Sequence, residues 1–238
     1  MLLKPKFNYF SLERDETTGV RLYRCPDGGD VPSVTTILSA TQSEEKKAIL
    51  DEWRTNVGET KAKNITTEAA NRGTRMHAYL EEYIKNGFLR ESGSNPYSKQ
   101  AHKMAKTIID KGLYHVSEFW GYEVPLYYPE IYAGTTDCLG IHNDEPAILD
   151  YKQSNKVKTR DMITDYLIQL CLYATAHNKL YDTNIRKGVI LMAVAPPVIE
   201  NNQWGDVEYL EFILEGQDWD NHVVKMWDRI EQYYTKGI

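Results

Sequence analysis

The segment Pro146-Ala-Ile-Leu-Asp-Tyr-Lys152 decides how this chain folds. It is an apolar run that ends in a carboxylate and an ammonium group two residues apart, and a polar turn over 142–145 precedes it. Because side chains two positions apart on a strand share a face, we expect Asp150 and Lys152 to project together from one edge of a β-sheet. On this motif alone, a strand-end salt bridge is an equal alternative.

Extended and helical segments surround this strand. The run over 131–142 precedes it across the turn and predicts an antiparallel hairpin, with 119–128 as a third strand. Helical periodicity and capping residues predict five helices, and β-prone runs predict further strands. The helices are expected over 43–57, 66–86, 97–112, 160–178 and 217–234, and the further strands over 7–12, 20–25, 187–194 and 207–214. This order predicts an α/β fold with a mixed central β-sheet flanked by helices.

Composition and charge limit the classes of protein to consider. With 238 residues and 42% hydrophobic residues, the chain is expected to form one domain. The net charge of -6 is concentrated after residue 199, where nine acidic residues meet three basic ones, whereas 152–160 has four cations and no anion. The acidic total therefore does not exclude DNA as a partner, but it predicts weak nonspecific binding that falls steeply with salt.

The cysteines and the hydropathy exclude other classes. Three cysteines, far apart, cannot form a four-thiolate site, which argues against an iron-sulfur cluster or a structural zinc site. No stretch approaches eighteen apolar residues and the first residues lack a signal-peptide pattern, so we expect no membrane partner. The expected location is the cytoplasm of a bacterial or phage-infected cell. A transit segment that has been removed would leave the mitochondrial matrix open.

Three further positions bear on the chemistry. Asp137 lies thirteen residues before Asp150 on the predicted partner strand, so two carboxylates would offer the hard oxygen ligands that Mg²⁺ or Mn²⁺ requires. In Arg72-Gly-Thr-Arg-Met-His77, the histidine borders an apolar helical stripe and has Glu81 one turn on, which would orient its imidazole. The alternatives are a polar strand residue for Asp137 and a structural histidine for His77.

The predicted helix over 160–178 places Gln169 within an aromatic face that includes Tyr173. A buried amide must find hydrogen-bond partners, and the simpler account is a core glutamine bonded to the main chain.

Together these segments resemble the RecB-like branch of the PD-(D/E)XK nuclease superfamily, most closely the mitochondrial genome maintenance exonuclease group with its phage and bacterial relatives. The resemblance covers about 32–176, between an N-terminal β element (1–31) and C-terminal strands with an acidic helix (177–238), in one nuclease domain. It implies a restriction-endonuclease-like fold. The matching segments are Pro32-Ser-Val-Thr-Thr-Ile-Leu38, Arg72 to His77 with Glu81, Gly134-Thr-Thr-Asp137, Asp150-Tyr-Lys152 with Ser154, and Gln169-Leu-Cys-Leu-Tyr173.

The resemblance also implies a set of residue roles. His77, Asp137, Asp150 and the main-chain carbonyl of Tyr151 would bind one or two Mg²⁺ or Mn²⁺ ions, and Lys152 would complete the catalytic site. Gln169 and Tyr173 would fix Lys152 or a substrate phosphate. The further candidates for DNA contacts are Lys156, Lys158 and Arg160, with a solvated basic loop as the alternative, and Ser33, Thr35 and Thr36, with an ordinary helix cap as the alternative.

Two departures from the resemblance are notable. Gln153 stands where threonine is common in this family, which affects any phosphate contact at that position. The four cysteines that hold an iron-sulfur cluster in some relatives are missing, so no such cluster is expected.

The first hypothesis is a metal-dependent DNA exonuclease that hydrolyses phosphodiester bonds from free ends, with a preference for single strands. The alternatives are a catalytically silent DNA-end-binding or interaction module on the same fold, and a structure-specific endonuclease. The sequence leaves cleavage polarity, the number of ions, oligomeric state and pathway open. The acidic C-terminal helix is interpreted as core packing, with partner docking as the alternative.

Overall fold

Eight strands form two sheets in residues 3–17, 20–197 and 204–236, which are the residues that the structure, a computed structural model, describes. A small antiparallel sheet contains β1 (Glu13–Asp15), β2 (Leu22–Arg24) and β3 (Asp30–Pro32). The large sheet has the order β4-β5-β6-β7-β8, and only β6 and β7 within it run parallel. Its strands are β4 (Val116–Tyr128), β5 (Tyr132–His142), β6 (Glu145–Ser154), β7 (Gly188–Val194) and β8 (Glu208–Leu214).

Helices cover both faces of the large sheet. One face packs against α3 and α4, the other against α1, α5 and α6, and α5 connects the two parallel strands. The prediction of an α/β fold with a mixed central sheet flanked by helices is therefore confirmed. The helices are α1 (Val34–Ala40), α2 (Glu44–Val57), α3 (Glu59–Asn86), α4 (Pro96–Lys111), α5 (Thr164–Tyr181) and α6 (Gly216–Thr235).

The helix boundaries follow from local sequence. The side chain of Ser43 accepts a hydrogen bond from the main-chain N–H of Lys46 over 3.3 Å, and Asn95 caps α4 in the same way, with Pro96 in its first turn. Gly58 lies between α2 and α3 with a φ of 87°, and Gly87 ends α3 with a φ of 78°. Glycine adopts these left-handed conformations without steric cost, so each chain reversal occurs at a residue suited to it.

The alternation of β6 distributes its side chains between the two cores. Leu149 and Tyr151 pack against α3 and α4, whereas Ile148 faces α5. Every residue of β7 is buried, as expected for a strand that is covered on both faces. This alternation places Asp150 and Lys152 on the face of the sheet that α5 covers.

Three predictions about the elements were wrong, and one of them is the helix expected from residue 160, because Arg160–Ile163 form a 3₁₀ turn and α5 begins at Thr164. The run over 7–12 forms no strand, because Phe7 and Tyr9 instead pack their rings against His177 and Tyr181. The helix expected from residue 66 begins at Glu59. Of the residues over 59–65 only Ala62 is buried, so this first part of α3 has no apolar periodicity from which a helix is predicted.

Cys25, Cys138 and Cys171 are buried free thiols at separate places in the fold. Among the helices of the described ranges, none has the length and apolarity needed to cross a lipid bilayer.

Stability should depend on pH through His177, which is fully buried in α5 and contacts the hydroxyl groups of Thr183 (2.8 Å) and Tyr9 (3.3 Å). Burial lowers the pKa of His177 from 6.5 to about 4. The unfolded chain therefore binds a proton between these pH values and the folded chain does not. The stabilising contribution is complete above pH 6.5 and is lost as pH falls through about 4, on the order of 3 kcal/mol.

Denaturant unfolding at a series of pH values tests this, with His177→Gln beside the wild type and His102→Gln as the control. The loss of unfolding free energy between pH 6.5 and 4 should be smaller in His177→Gln only. An unchanged pH dependence in His177→Gln would contradict the prediction.

Candidate metal centre

The β5–β6 hairpin brings Asp137 to the end of β6. Cys138 pairs with Leu149 in this hairpin, so Asp137 lies beside the strand segment that carries Asp150 and Tyr151. One carboxylate oxygen of Asp137, Oδ2, accepts a hydrogen bond of 2.7 Å from the main-chain N–H of Tyr151. Asp137 therefore lies next to Asp150, as the hairpin predicts, and its side chain is hydrogen bonded to the main chain of β6.

His77 reaches the same point from α3. Met76, Leu80 and Ile84 are buried against the sheet, which leaves His77 facing the end of β6. Its Nε2–H donates to the main-chain oxygen of Tyr151 over 2.9 Å, and its Nδ1 lies 3.5 Å from Oδ1 of Asp137. His77 and Asp137 therefore both bind the main chain of Tyr151, His77 at its carbonyl oxygen and Asp137 at its N–H.

A buried arginine ties α3 to the end of β6. Arg72 Nε and Nη2 donate to Oε1 of Gln153 over 3.0 and 2.6 Å, and Nη2 also donates to Asn155. Gln153 in turn donates to the main-chain oxygen of Ala69 over 3.1 Å. The glutamine that departs from the family pattern thus links α3 to β6 one residue after Lys152.

Lys152 and Asp150 form an ion pair on the α5 side of the sheet. The ammonium nitrogen of Lys152 lies 2.5 Å from Oδ2 of Asp150 and 4.9 Å from the ring centroid of Tyr166 on α5. Asp150 is only 1% exposed, so its charge depends on this partner. The aromatic face of Tyr166 adds a cation–π contact that orients the ammonium group.

Glu123 is the residue of this centre that the sequence interpretation missed. One ligand atom each of His77, Glu123 and Asp137 lies within 4.8 Å of the others. Glu123 lies on β4 between the pairs Tyr122–Cys138 and Val124–Thr136, which places it opposite Asp137. Its φ of 46° is rare for a residue with a side chain, and such strain clusters at functional sites.

The electrostatics of these groups are strongly coupled. Burial opposes a charge on His77, but attraction to Asp137 outweighs it and raises the pKa of His77 to about 9. Burial likewise opposes the ionisation of Asp137, yet His77 and Lys152 hold its pKa below the ordinary value. Burial raises the pKa of Asp150, and burial, with repulsion from Asp137, raises that of Glu123 to about 7.

The geometry separates two groups of ligand candidates. The imidazole of His77 and the carboxylates of Glu123 and Asp137 converge, whereas the carboxylate of Asp150 is engaged by Lys152. The carbonyl of Tyr151, an expected ligand, accepts the hydrogen bond from His77. Two carboxylates and one imidazole suit Mn²⁺, and carboxylate oxygens suit Mg²⁺.

Three supporting residues lie around this centre. Glu81 is one helical turn beyond His77, and burial raises its pKa while attraction to His77 opposes that rise. Gln169 donates from its amide nitrogen to the hydroxyl of Tyr173 over 3.0 Å, so this buried amide has a side-chain partner. Gln169 and Tyr173 line a cleft together with Glu123. Lys152 contacts Asp150 and Tyr166, so the expected contact of Gln169 or Tyr173 with Lys152 stays a prediction.

The predicted hydroxyl residues have local partners. Ser33 caps α1 by accepting from the main-chain N–H of Thr36 over 2.9 Å, and it hydrogen bonds to the hydroxyls of Thr35 and Thr36. Ser154 donates to the main-chain oxygen of Lys156 over 2.6 Å and closes the turn after β6. These bonds show a capping and a turn role, and phosphate contacts by the same hydroxyls stay a prediction.

The three basic candidates after β6 differ in their surroundings. Lys156 is exposed and Lys158 is half-buried. Arg160 donates to the main-chain oxygen of Ile213 over 3.0 Å and also binds Asp218 of α6. The guanidinium group of Arg160 thus links α6 to the large sheet, whereas the side chain of Lys156 is exposed to solvent.

The chain is similar in sequence to two curated proteins. No protein-family profile matches the chain. It is 28% identical over 179 residues to mitochondrial genome maintenance exonuclease 1 of Xenopus tropicalis, covering 69% of this chain and 49% of that protein. It is 25% identical over 215 residues to the Homo sapiens protein of the same name, covering 87% and 59%. The chain thus spans between about half and three-fifths of these relatives.

Solved structures show more distant likeness. The crystal structure of SSO0001 aligns with a TM-score of 0.38 and 14% identity, covering 85% of this chain and 76% of that one. A phage-related exonuclease from Haemophilus somnus 129PT aligns with a TM-score of 0.32 and 11% identity, covering 67% and 79%. The sequence likeness to the two curated proteins relates this chain to the mitochondrial genome maintenance exonucleases, a family of nucleases.

Proposed function

We propose that this chain is a metal-dependent DNA exonuclease of the PD-(D/E)XK type, which hydrolyses phosphodiester bonds from free ends and prefers single strands. One observation carries the proposal: in a chain with sequence likeness to exonucleases, His77 and Asp137 bind the main chain of Tyr151, the residue between the ion-paired Asp150 and Lys152. Two strands and one helix supply the four side chains, which are distant in sequence. Together with the N-terminal β element and the C-terminal segment, they are proposed to form one nuclease domain over 1–238.

The proposed metal ligands are His77, Asp137 and Glu123, with Asp150 and the carbonyl of Tyr151 as further ligands. A bound Mg²⁺ or Mn²⁺ ion supplies a water of lowered pKa and polarises a phosphoryl oxygen, whether one or two ions bind. Metal ligands bind in their deprotonated forms. Since the pKa of His77 is raised to about 9 and that of Glu123 to about 7, ion binding has to displace protons and should strengthen with rising pH.

Lys152 is proposed as the catalytic cation. Asp150 and the ring of Tyr166 fix its ammonium group, so it is oriented before substrate arrives. At that place it either orients the attacking water or stabilises negative charge on the phosphorane-like transition state. Asp137 and Asp150 keep the pKa of Lys152 above its ordinary value despite burial, which favours the charged form and thus the electrostatic role.

Substrate holding is proposed for residues beside the centre. Lys156 is exposed at the turn after β6, two residues beyond Ser154, and Lys158 follows it. Both are candidates for contacts with the DNA backbone, which would make binding depend on salt. Gln169 and Tyr173 in the neighbouring cleft are candidates for a phosphate contact next to the scissile bond.

Digestion of end-labelled DNA tests the proposal. Linear single- and double-stranded DNA, labelled separately at each 5′ and 3′ end, is incubated with Mg²⁺, Mn²⁺ or EDTA. We expect release of mononucleotides or short oligomers that needs metal and is faster from single strands, and the label that leaves first gives the polarity. Closed circular single strands should stay intact.

The alternatives give distinct results in the same experiment. Cleavage of closed circles as fast as linear strands would replace the exonuclease by a structure-specific endonuclease. Retention of DNA in a mobility-shift assay, without release of label under either metal, would leave a DNA-end-binding module.

Glu123→Gln should weaken the binding of the metal ion that cleavage needs, without removing the activity. The substitution keeps the size of the side chain but removes one of the converging charges, so the Mn²⁺ concentration for half-maximal cleavage should rise on the order of tenfold. Glu130→Gln is the matched control, because Glu130 also has a positive φ (65°) and is exposed. Equal metal dependence in the two variants would contradict a ligand role for Glu123.

A further inference from the structure

A cleft of about 250 Å³ opens beside the candidate metal centre. Its lining includes Glu123, which also belongs to the centre, and the buried side chains of Gln169 and Tyr173. Tyr173 lies so close to Gly134 that a Cβ atom there would be 2.9 Å from its ring, so the floor of the cleft is tightly packed. The cleft is thus a polar, preformed space that leads directly to the metal centre.

The N-terminal part of the chain supplies the positive charge of this cleft. Arg14 of β1 and Arg21, next to β2, both belong to the lining. Arg14 Nε donates to Oε1 of Glu16 over 2.9 Å, and Arg21 Nε donates to the same oxygen over 2.6 Å. One carboxylate therefore holds two guanidinium groups side by side at the cleft.

The charge and exposure of this cluster suit a phosphate. The side chains of Arg14 and Arg21 are 46% and 38% exposed, so their ion pairs with Glu16 contribute little to folding stability. A guanidinium group carries five N–H donors in a planar fork, which leaves donors for a second anion after Glu16 is bound. Arg14, Arg21 and Glu16 together carry a net charge of +1, and Glu123 is the acidic residue among those that line the cleft with them.

The backbone of this segment is held independently of its side chains. The main-chain oxygen of Arg21 accepts from the N–H of Ser33 over 2.9 Å and from the hydroxyl of Thr36 over 3.3 Å. Removal of the Arg21 side chain leaves both bonds in place. The guanidinium group can therefore be tested for a binding role without loss of the local fold.

We propose that Arg14 and Arg21 together bind a backbone phosphate of the DNA strand that lies in this cleft, next to the metal centre. The inference rests on the proposed function, because it gives that same site a specificity contact from a part of the chain outside the resemblance to the nuclease motifs. Glu16 binds both guanidinium groups through one oxygen and competes with the phosphate for their donors. Arg14 and Arg21 are positioning residues for the strand and do not touch the reacting atoms.

Binding of a fluorescein-labelled single-stranded oligothymidylate, followed by fluorescence anisotropy in EDTA, tests the inference without cleavage. Arg14→Ala and Arg21→Ala should each raise the dissociation constant about tenfold and reduce the slope of log K against log salt by about 1. Glu16→Gln should lower the dissociation constant several-fold. Arg24→Ala is the matched control, since Arg24 lies on β2, pairs with Asp30 over 3.2 Å and is outside the lining of the cleft.

The dissociation constants and the release of label together separate this inference from the proposed function. Dissociation constants of the Arg14 and Arg21 variants equal to that of Arg24→Ala would overturn the inference while cleavage by the wild type stands. If the two variants bind DNA more weakly and the wild type releases no label with either metal, the phosphate contact would be supported and the nuclease activity would be overturned. Absence of DNA binding by the wild type would overturn both, and weaker binding by Glu16→Gln would overturn the competition by Glu16.

Where the wild type cleaves, steady-state kinetics gives a second readout. A contact to the strand away from the scissile bond should raise KM in Arg21→Ala and leave kcat within about twofold. A fall in kcat at unchanged KM would contradict a positioning role.

Discussion

Lys152→Ala should reduce the rate of phosphodiester cleavage by about a thousandfold at saturating metal. The ammonium group is held between Asp150 and the ring of Tyr166, 2.5 Å from a carboxylate oxygen, so it is fixed before the reaction begins. Loss of a fixed charge donor or of a proton-transfer group costs between about 10² and 10⁴ in rate. Single-turnover cleavage of an end-labelled single strand, with enzyme in excess, measures the chemical step.

The stability of this variant has to be measured beside its activity. Lys152→Ala leaves the carboxylate of Asp150 buried without its cation, which costs about 3 kcal/mol of unfolding free energy or is relieved by protonation of Asp150. Lys152→Ala with Asp150→Asn removes the unpaired charge and should recover most of the stability but none of the activity. Lys179→Ala, at an exposed lysine of α5, is the control for a general loss of positive charge.

The outcome distinguishes catalysis from folding. A thousandfold slower reaction in a protein whose unfolding transition is intact supports the catalytic role. A loss of rate that follows the loss of folded protein, and that the double variant restores, would contradict it.

The central hairpin could be predicted from the sequence because its information is local. The run over 131–142, the polar turn and the apolar strand ending in Asp150 lie within about twenty residues, and turn chemistry sets the register. That register alone places Asp137 beside the end of β6. The ion pair of Asp150 and Lys152 likewise follows from the two-residue period of a strand.

The position of His77 needed a different kind of information. The helical stripe of Met76, Leu80 and Ile84 predicted which face of α3 is buried, but not which strand it meets. In the structure the link is made by Arg72, whose partner Gln153 lies 81 positions away. Contacts at such separations depend on the packing of the whole sheet, which the sequence pattern does not specify.

Glu123 had no local signature that separates it from a solvent-facing strand residue. Its role arises from two features: the φ of 46° and the pairing that sets it opposite Asp137. The signal available in Phe119 to Tyr128 is an acidic residue within an extended run, preceded by Tyr122 and followed by Val124. Tyr166 lies on the predicted helix three residues before Gln169, and the structure brings its ring to 4.9 Å from the ammonium nitrogen of Lys152.

Asp137→Asn should abolish detectable metal-dependent cleavage, because the carboxylate of Asp137 contacts both His77 of α3 and the main chain of β6. Oδ1 faces Nδ1 of His77 at 3.5 Å, and Oδ2 accepts from the N–H of Tyr151 over 2.7 Å. Asparagine keeps the size and one oxygen acceptor, so the bond to Tyr151 is retained. The variant loses a full negative charge, and with it most of the attraction that raises the pKa of His77.

A readout other than cleavage shows whether the loss is one of metal binding. An ion that binds only the folded chain raises its melting temperature, and the effect grows with the ratio of free ion to dissociation constant. The wild type should therefore melt at a higher temperature in Mn²⁺ than in EDTA, and Asp137→Asn should melt at the same temperature in both. Asp144→Asn is the control, since Asp144 is exposed in the turn of the same hairpin with a φ of 64°, which asparagine tolerates.

Asp137→Asn should also change the titration of His77. In Asp137→Asn the pKa of His77 should fall towards its ordinary value, because burial then acts without the main opposing attraction. NMR titration of the imidazole, in the absence of metal, follows this directly. Since the folded-state pKa of His77 lies above 6.5, its stabilising contribution in the wild type is complete below about pH 6.5 and is lost as pH rises through about 9. An unchanged titration in Asp137→Asn, together with Mn²⁺ stabilisation equal to that of the wild type, would exclude Asp137 from the metal centre and leave Glu123 and Asp150 as its carboxylates.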